Sequence, residues 1–270
     1  MSSSLVVIRG GGDLGSGVAH RLYLARYRVA ILELAQPTVI RRTVAFASAV
    51  YEGEVTIEGV RGIAAASAAA AQDALERGDV PVLIDPHAEA LATLLPAALV
   101  DARLAKRNLG TSLSDAPVVI GLGPGFVAGV DVHAVIETQR GHDLGRVIWQ
   151  GAASANTGVP GRIGGEDEKR VLRSPCAGVF RSVRQICGQV AANEVVGYVV
   201  AGYLNETPVT ARISGVLRGI MHDGVAVAAG VKVGDVDPRG VVEHCFTVSD
   251  KALAIGGGVL EALLHLGVLP

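Results

Sequence analysis

Two glycine-rich stretches of the sequence carry the residues best suited to holding an anion. The first is Gly10-Gly11-Gly12-Asp13-Leu14-Gly15, which follows an apolar run at residues 5–8. Its glycines have the G-x-G-x-x-G spacing, and Glu33 closes the next apolar run, so the pattern predicts amides on a phosphate and a carboxylate on a ribose. A tight strand-to-helix turn that binds no dinucleotide explains the same glycines. The ligand-binding candidates here are Gly10, Gly11, Gly12, Asp13, Gly15 and Glu33.

The second stretch runs from residue 101 to residue 161 and combines polar side chains with a glycine loop. A predicted strand at residues 118–122 leads into this loop, which would bring backbone amides close to a ligand. A lysine, an amide and a hydroxyl precede the strand; the lysine could equally be a surface residue. The candidates are Lys106, Asn108, Thr111, Gly121, Gly123 and Gly125. We expect both glycine loops to face the same phosphate-bearing ligand.

Three further groups of residues have suitable chemistry but a common alternative explanation. Arg41 and Arg42 could hold a phosphate bidentately, although a solvated helix face explains them as well. Lys106, Glu137 and His142 are candidates for acid–base catalysis, but the sequence does not show that they converge. The remaining polar pairs, Asp85 with His87 and Asp131 with His133, are more typical of caps and a hydrogen-bonded histidine than of metal ligands. Three cysteines without C-x-x-C spacing add no zinc site, so no metal is expected.

The elements that must position these residues form a βα pattern up to about residue 165. Strands are predicted at residues 5–8, 29–32, 80–84, 98–101, 118–122, 134–137 and 146–150, with an alanine-rich helix at residues 64–75. We therefore expect an α/β chain whose first domain, residues 1–165, is Rossmann-like. Residues 241–270 should supply a strand and a C-terminal helix, starting near Asp250, that pack back on this domain.

Residues 172–240 have a different pattern, with short apolar runs separated by glycines. Residues 174–180 and 211–217 read as two copies of one half-motif. This repeat resembles the barrel-sandwich hybrid of biotinyl and lipoyl carrier domains. The hairpin expected at residues 203–206 lacks the lysine that such carriers modify, so we expect a structural or docking module.

The composition excludes some classes of function. A formal net charge of -2 does not favour nucleic acid or an anionic membrane surface. The mean hydropathy is +0.42, but no apolar run approaches the roughly 20 residues that span a bilayer. We expect a cytoplasmic protein and, on general grounds, a homodimer.

Several of these motifs together resemble one known family. They are residues 9–14, 40–42, 105–111, 121–126 and 156–158, and they are similar to the YqeB family linked with selenium-dependent molybdenum hydroxylase systems. The N-terminal part also resembles XdhC/CoxI-type maturation factors. The resemblance implies an accessory role in the maturation of a molybdenum hydroxylase, with the pterin molybdenum cofactor or a nucleotide as ligand and a hydroxylase subunit as partner.

Two other functions remain open from the sequence. The first glycine loop and Glu33 also suit an NAD(P)-dependent oxidoreductase, although no Tyr/Lys or His/Asp catalytic pair accompanies them. The β-module could instead make the protein a non-catalytic scaffold that docks a hydroxylase subunit.

Overall fold

The structure is a computed structural model that describes residues 3–156, 164–166, 168–202 and 205–270. Thr157 and Gly158 of the last family motif, and residues 203 and 204 of the expected hairpin, lie outside these ranges. The chain forms two compact units. The first unit comprises Met1–Pro37, Ala45–Thr157 and Val248–Pro270, and the second comprises Thr38–Val44 and Gly158–Thr247.

A nine-stranded mixed sheet is the centre of the first unit, in the order β10-β9-β7-β6-β1-β2-β5-β4-β3. Its strands are β1 (Leu5–Arg9), β2 (Arg28–Glu33), β3 (Glu54–Ile57), β4 (Val60–Ala65), β5 (Val80–Ile84), β6 (Ala98–Asp101), β7 (Val118–Leu122), β9 (Ala134–Ile136) and β10 (Val147–Ile148). The seven strands from β9 to β4 are parallel, whereas β10 and β3 pair antiparallel at the two edges. Two short strands, β8 (Val127–Ala128) and β11 (Gly151–Ala152), form a separate ribbon.

The central strands are buried along their whole length, as continuous apolar runs in a parallel sheet should be. Every residue of β1, β6 and β7 is buried, including the polar residues that end the first two, Arg9 and Asp101. Strands β1 and β6 are neighbours in the sheet. The strand that follows β1 in the chain, β2, lies on one side of this pair, and the strand that follows β6, β7, lies on the other. A crevice therefore opens at the carboxyl ends of β1 and β6, where open α/β sheets commonly bind ligands.

Helices accompany only part of this sheet in the described residues. They are α1 (Asp13–Leu24), α2 (Ala49–Glu52), α3 (Ala68–Glu76), α4 (Leu91–Leu94) and α5 (Asp250–His265), with single 3₁₀ turns at Arg42–Val44, Phe46–Ser48, Leu113–Asp115 and Val242–Cys245. Ser67 and Ser249 cap α3 and α5, because their hydroxyls accept the amides of Ala70 and Ala252. Helices α1 and α5 approach closely at Gly17, where an added Cβ would lie 2.5 Å from the Ala252 Cβ.

The predicted Rossmann-like domain is wrong. The sheet is mixed rather than parallel throughout, because β3 and β4 form an antiparallel hairpin and β10 returns antiparallel to β9. The connections from β5 to β6 and from β6 to β7 contain only the single turn α4 and a 3₁₀ turn. Helices on both faces between successive strands, which that fold requires, are therefore missing from this part of the described chain.

The second unit contains β12 (Val171–Arg173), β13 (Gly178–Ser182), β14 (Gln189–Val190), β15 (Val195–Ala201), β16 (Asn205–Thr210), β17 (Gly215–Ile220), β18 (Ala226–Val227) and β19 (Lys232–Asp237). They pair as two four-stranded antiparallel sheets, β12-β19-β17-β14 and β16-β15-β13-β18. The predicted barrel-sandwich hybrid is wrong as well. Glycines do separate short strands in this unit, as the repeat predicted. The arrangement of the sheets depends instead on pairing between strands far apart in the sequence, such as β12 with β19.

Candidate functional site

A network of buried charges lies at the carboxyl ends of β1 and β6. Asp101 is 1% exposed and accepts hydrogen bonds from Arg103 Nε, at 3.1 Å, and from Arg103 Nη2, at 2.5 Å. Burial alone would raise the pKa of Asp101, but the bonds from Arg103 and Thr111 hold that pKa below its usual value. Asp101 is therefore an ionised anchor for the arginine beside it.

Thr111 joins this pair to Arg9. Its Oγ1 accepts from Arg9 Nη1 at 3.1 Å and from Arg103 Nη2 at 3.0 Å, and donates to Asp101 Oδ2 at 2.6 Å. Two guanidinium groups thus share one hydroxyl oxygen, which requires them to lie close together. Asn108 fixes the turn that carries Thr111: Asn108 Nδ2 donates to the Thr111 carbonyl at 2.7 Å, and the Thr111 amide donates to Asn108 Oδ1 at 2.8 Å.

Arg9 is 7% exposed, and its Nη2 donates to the Pro86 carbonyl at 3.1 Å. Burial and the positive charge of Arg103 lower the pKa of Arg9, while Asp101 and two further acids oppose that shift. Its two named bonds use two of the five N–H donors that a guanidinium carries. A negatively charged group bound beside Arg9 would relieve the repulsion between the two arginines.

A cavity of about 410 Å³ opens on this network. It is lined by Arg9, Pro86, His87, Ala88, Leu91, Arg103, Leu109, Gly110 and Asp115. Asp115 is the acid among these residues, and its carboxylate accepts from the amide and hydroxyl of Ser112. The guanidinium groups of Arg9 and Arg103 on this wall can donate to an anion such as a phosphate, in the presence of three acids that also act on Arg9.

The first glycine loop packs tightly against its own unit. The Gly11 amide donates to Glu33 Oε2 at 2.8 Å, and the Leu34 amide donates to Glu33 Oε1 at 2.7 Å. Glu33 thus holds the loop in this conformation, and burial raises its pKa despite the two amide bonds. An added Cβ at Gly15 would lie 2.0 Å from the Gly10 carbonyl oxygen, so Gly15 permits the contact between α1 and β1. Gly12 precedes α1, and Asp13 is its first residue.

The second glycine loop is also packed by its neighbours. An added Cβ at Gly121 would lie 2.5 Å from the Phe126 ring, and one at Gly123 would lie 2.4 Å from Thr138 Oγ1. Gly125 has a φ of +112° and faces the Arg107 backbone, while Gly10 faces the Ala102 backbone. The two loops are thus separated by the segment that follows β6, the segment that carries Arg103 and Thr111.

The other predicted residues have surroundings of their own. Glu137 is 3% exposed and accepts the amides of Gln139 and Ser154, and these bonds lower its pKa against the effect of burial. His142 and Lys106 are exposed. In the second unit, Arg41 donates to the carbonyls of His244 and Thr247, and Arg42 donates to that of Ile220.

Sequence reasoning found Asn108 and Thr111 but missed the charged residues that they organise. Arg9 and Asp101 are each the last residue of a buried strand. A charged residue at the end of an apolar run was the available signal; it was applied to Glu33, Asp85 and His87 but not to Arg9 or Asp101. Asp85 accepts the amides of Glu89 and Ala90 at 3.0 and 2.8 Å, in the turn that precedes α4, but the N-cap of α4 itself is Ala90. His133 is hydrogen-bonded through Nδ1 to the Val119 amide.

Within residues 3–156, 164–166, 168–202 and 205–270, no three His, Cys, Asp or Glu residues are grouped so that they could hold a metal ion. None of the helices in those ranges has both the length and the apolar character needed to cross a membrane.

No protein-family model matches the chain. The protein YqeB of Escherichia coli strain K12, whose function is uncharacterized, is 53% identical to it over 262 residues. The chain is a homologue of YqeB. The match covers 97% of this chain and 48% of YqeB, so the chain spans about half the length of that relative. The homology to YqeB supports the family resemblance noted in the motifs, while the relation to XdhC/CoxI-type factors stays a prediction.

Solved structures give weaker likenesses. An aspartoacylase family protein of Mesorhizobium loti aligns with a TM-score of 0.29 and 12% identity, over 87% of this chain and 85% of that chain. The apo form of the ectoine utilization protein EutE (DoeB) of Ruegeria pomeroyi aligns with a TM-score of 0.29 and 11% identity, over 87% and 86%. These values transfer neither a substrate nor a chemistry from those proteins to the YqeB homologue.

Proposed function

We propose that this YqeB homologue binds a phosphate-bearing small molecule in the cavity beside Arg9 and Arg103. The observation that carries the proposal is the meeting of two guanidinium groups, from the ends of adjacent strands, on one hydroxyl at the wall of that cavity. Guanidinium groups bind phosphate oxygens through paired, charge-assisted hydrogen bonds. The proposed ligand is the pterin molybdenum cofactor or a nucleotide.

The balance of charge supports an anionic ligand over a neutral one. Asp101 compensates Arg103 through a two-point ion pair, but Arg9 meets only neutral oxygens in its hydrogen bonds, those of Thr111 and Pro86. Asp101, Asp115 and Asp85 act on Arg9 through space, but none of them accepts a hydrogen bond from it, so a bound phosphate would supply a charged acceptor to its remaining donors. The cavity is larger than a single phosphate group, which leaves room for an attached ring system.

We propose that the biological role is accessory: the protein would hold a cofactor during maturation of a molybdenum hydroxylase of a selenium-dependent system and contact a hydroxylase subunit. This role is based on the motifs shared with the YqeB family and the resemblance to XdhC/CoxI-type factors, not on the cavity. Co-purification with a molybdenum hydroxylase subunit, using the full chain as bait, tests the partner. Recovery of no hydroxylase under conditions that preserve other complexes would contradict it.

Isothermal titration calorimetry tests the binding site, using pyrophosphate, ATP, NADPH and an unphosphorylated pterin as probes. We expect the phosphate-bearing probes to bind more tightly than the pterin alone. Arg103→Gln should weaken that binding about 10- to 100-fold, because a hydrogen bond to a charged group contributes about 1.5–3 kcal/mol. Arg103→Lys should restore part of it, since the charge remains and the fork is lost.

Arg140→Gln is the matched control, because Arg140 is an arginine of the same unit whose partner is the exposed Asp250. It should leave the affinity unchanged. Circular dichroism of each variant checks that the fold is intact. If neither pyrophosphate nor ATP binds, or if Arg103→Gln and Arg140→Gln weaken binding equally, the site assignment is wrong.

A further inference from the structure

Two of the three cysteines meet in the second unit. Cys245 is fully buried, and Cys187 is partly exposed. Both approach the same carbonyl oxygen, that of Leu217: the Cys187 amide donates to it at 2.9 Å, and the Cys245 Sγ lies 4.0 Å from it. The Cys187 amide also faces the Cys245 sulfur. The two residues come from distant parts of the chain, so the fold itself creates this proximity.

The buried cysteine is held firmly in place. Thr43 Oγ1 donates to the Cys245 carbonyl at 2.5 Å. Arg41 Nη2 donates to the carbonyls of His244 and Thr247, each at 2.9 Å, on either side of Cys245. These bonds hold the backbone at and beside Cys245. They also give a structural role to Arg41, for which the sequence left open a phosphate contact or a solvated helix face.

The two cysteines differ in their burial, and the charges around Cys245 affect its pKa. Burial raises the pKa of Cys245, whereas the Cys187 amide and the charges of Arg218 and Arg41 act in the opposite direction. Cys245 is therefore a protonated thiol near neutral pH, with positive charge available to stabilise a thiolate when one forms. Cys187 is the more exposed residue of the two, so we assign it the first contact with a small disulfide.

The backbone at Cys187 is unusual for this residue type. Its φ is +73°, in the left-handed region that glycine and asparagine occupy most readily. A backbone conformation of this kind favours glycine or asparagine, so it does not explain why residue 187 is a cysteine. The second cysteine beside it offers a reason.

We propose that Cys187 and Cys245 form a thiol–disulfide exchange site for low-molecular-weight disulfides such as glutathione disulfide. The Cys187 thiolate attacks one sulfur of the small disulfide, forms a mixed disulfide and releases one thiolate. The Cys245 thiol then attacks the Cys187 sulfur, and its proton passes to the second thiolate as that group leaves. This step forms the Cys187–Cys245 disulfide and releases the second thiol. Overall, two protein thiols are oxidised and one small disulfide is reduced to two thiols.

Cys176 provides the internal control. It lies in the other part of the unit, where its Sγ contacts Thr207 Oγ1 at 3.6 Å. It is partly exposed like Cys187, so reactivity due to exposure alone would affect both residues. Exchange through the proposed site should instead involve Cys187 and Cys245 together and leave Cys176 as a thiol.

The test is to equilibrate the reduced full chain with a series of glutathione redox buffers and measure intact mass and peptide mass after alkylation. We expect wild type and Cys176→Ser to lose two hydrogens and to carry a peptide cross-link between Cys187 and Cys245. Cys245→Ser should accumulate one glutathione on Cys187, because the second attack is removed. Cys187→Ser should show at least a tenfold slower reaction at Cys245.

The wild-type measurement keeps the proposal falsifiable if a variant fails to fold. Differential alkylation of the wild-type chain should show that Cys187 and Cys245 become protected at the same buffer potential while Cys176 stays reactive. Protection of Cys176 with either of them, or stable glutathione adducts on wild-type Cys187 without the cross-link, would overturn it.

Discussion

At the scale of single residues, Asp101 is the acid on which the charge network depends. It accepts from the Arg103 side chain and amide and from Thr111, and through these bonds it sets the position of both arginines. An ion pair this buried is a poor source of net stability, but removing one partner leaves the other charge exposed to an apolar interior. Asp101 therefore orients the two arginines, and the stability of the fold depends on the ionised state of its carboxyl group.

Asp101→Asn should lower the free energy of unfolding by about 3 kcal/mol, because Arg103 and Arg9 then face each other without the carboxylate. Urea unfolding at pH 7 measures this change. Asp143→Asn is the control, since Asp143 pairs with Arg146 and both side chains are more than half exposed. An exposed pair contributes about 0–1 kcal/mol, so equal losses in the two variants would contradict the assigned role.

The same residue predicts a dependence on pH. The pKa of Asp101 is lower in the folded chain than in the unfolded one, so its contribution to stability is present above the unfolded pKa of about 3.9 and is lost as pH falls through the folded pKa. The difference in stability between wild type and Asp101→Asn should therefore shrink below about pH 4. A difference that stays constant down to acid unfolding would exclude a role for this carboxylate's charge.

Only some residues of the candidate site could be predicted from the sequence. Asn108 and Thr111 were identified because amide and hydroxyl groups in a polar loop are visible as ligand-type residues. Arg9 was not, because its neighbours made it the end of an apolar strand, and nothing local shows that Asp101 and Arg103 lie beside it. In the structure, glycines that matched a ligand motif allow close packing. Their packing partners can be separated from them in the sequence, as Thr138 is from Gly123.

At the scale of elements, the three consecutive glycines of α5 have different surroundings. An added Cβ at Gly258 would lie 2.1 Å from the Gly145 carbonyl oxygen, whereas one at Gly257 meets no atom within 4 Å. Glycines inside a helix cost stability, and close packing against another backbone explains the one at Gly258. Gly257 has no such explanation.

Gly257→Ala should stabilise the chain by about 0.5–1 kcal/mol, because alanine restricts the unfolded chain and favours the helix. Gly258→Ala should destabilise it by about 1–3 kcal/mol, since the backbone of Gly145 must move to accept the methyl group. Thermal and urea unfolding of the two variants test this directly, each serving as the control for the other. The same sign for both changes would mean that α5 does not approach residue 145 as described.

Element positions were more predictable than element pairing. The strands predicted at residues 80–84, 98–101 and 118–122 match β5, β6 and β7, because long apolar runs are local signals. The order of the sheet was not predictable in the same way. The hairpin of β3 and β4 did have a local signal, the two-residue turn Glu58-Gly59 with positive φ at both residues. The antiparallel return of β10 depends instead on its pairing with β9, and both features decide against the Rossmann-like arrangement.

At the scale of the whole molecule, the first unit is assembled from segments that are far apart in the sequence. Helix α5 packs into it through Ile255, Val259 and Leu263, each fully buried. The same C-terminal segment is hydrogen-bonded to the unit at two more points: the Tyr27 hydroxyl donates to the Val268 carbonyl at 2.7 Å, and the Val248 amide donates to Glu58 Oε1 at 2.7 Å. Residues 248–270 are therefore part of the core of this unit and not an appendage.

The fragment 1–165 should consequently fail to fold cooperatively. Burial of three large aliphatic side chains contributes roughly 5–9 kcal/mol, which is comparable to the 5–15 kcal/mol that separates most folded domains from their unfolded states. Without α5, the face of α1 that contains Gly17 is exposed to water. We expect the fragment to bind a hydrophobic dye and to lose the sharp urea transition of the full chain.

A synthetic peptide of residues 248–270 provides the decisive comparison, because it restores the missing face without a covalent link. Addition of this peptide in excess should recover the cooperative transition and reduce dye binding, whereas the peptide carrying Gly258→Ala should do so more weakly. Rescue by mass action must increase with peptide concentration, which separates specific docking from a general effect of added peptide. A fragment that unfolds cooperatively by itself would show that α5 covers the unit without completing it, and the stability assigned to Ile255, Val259 and Leu263 would then be too large.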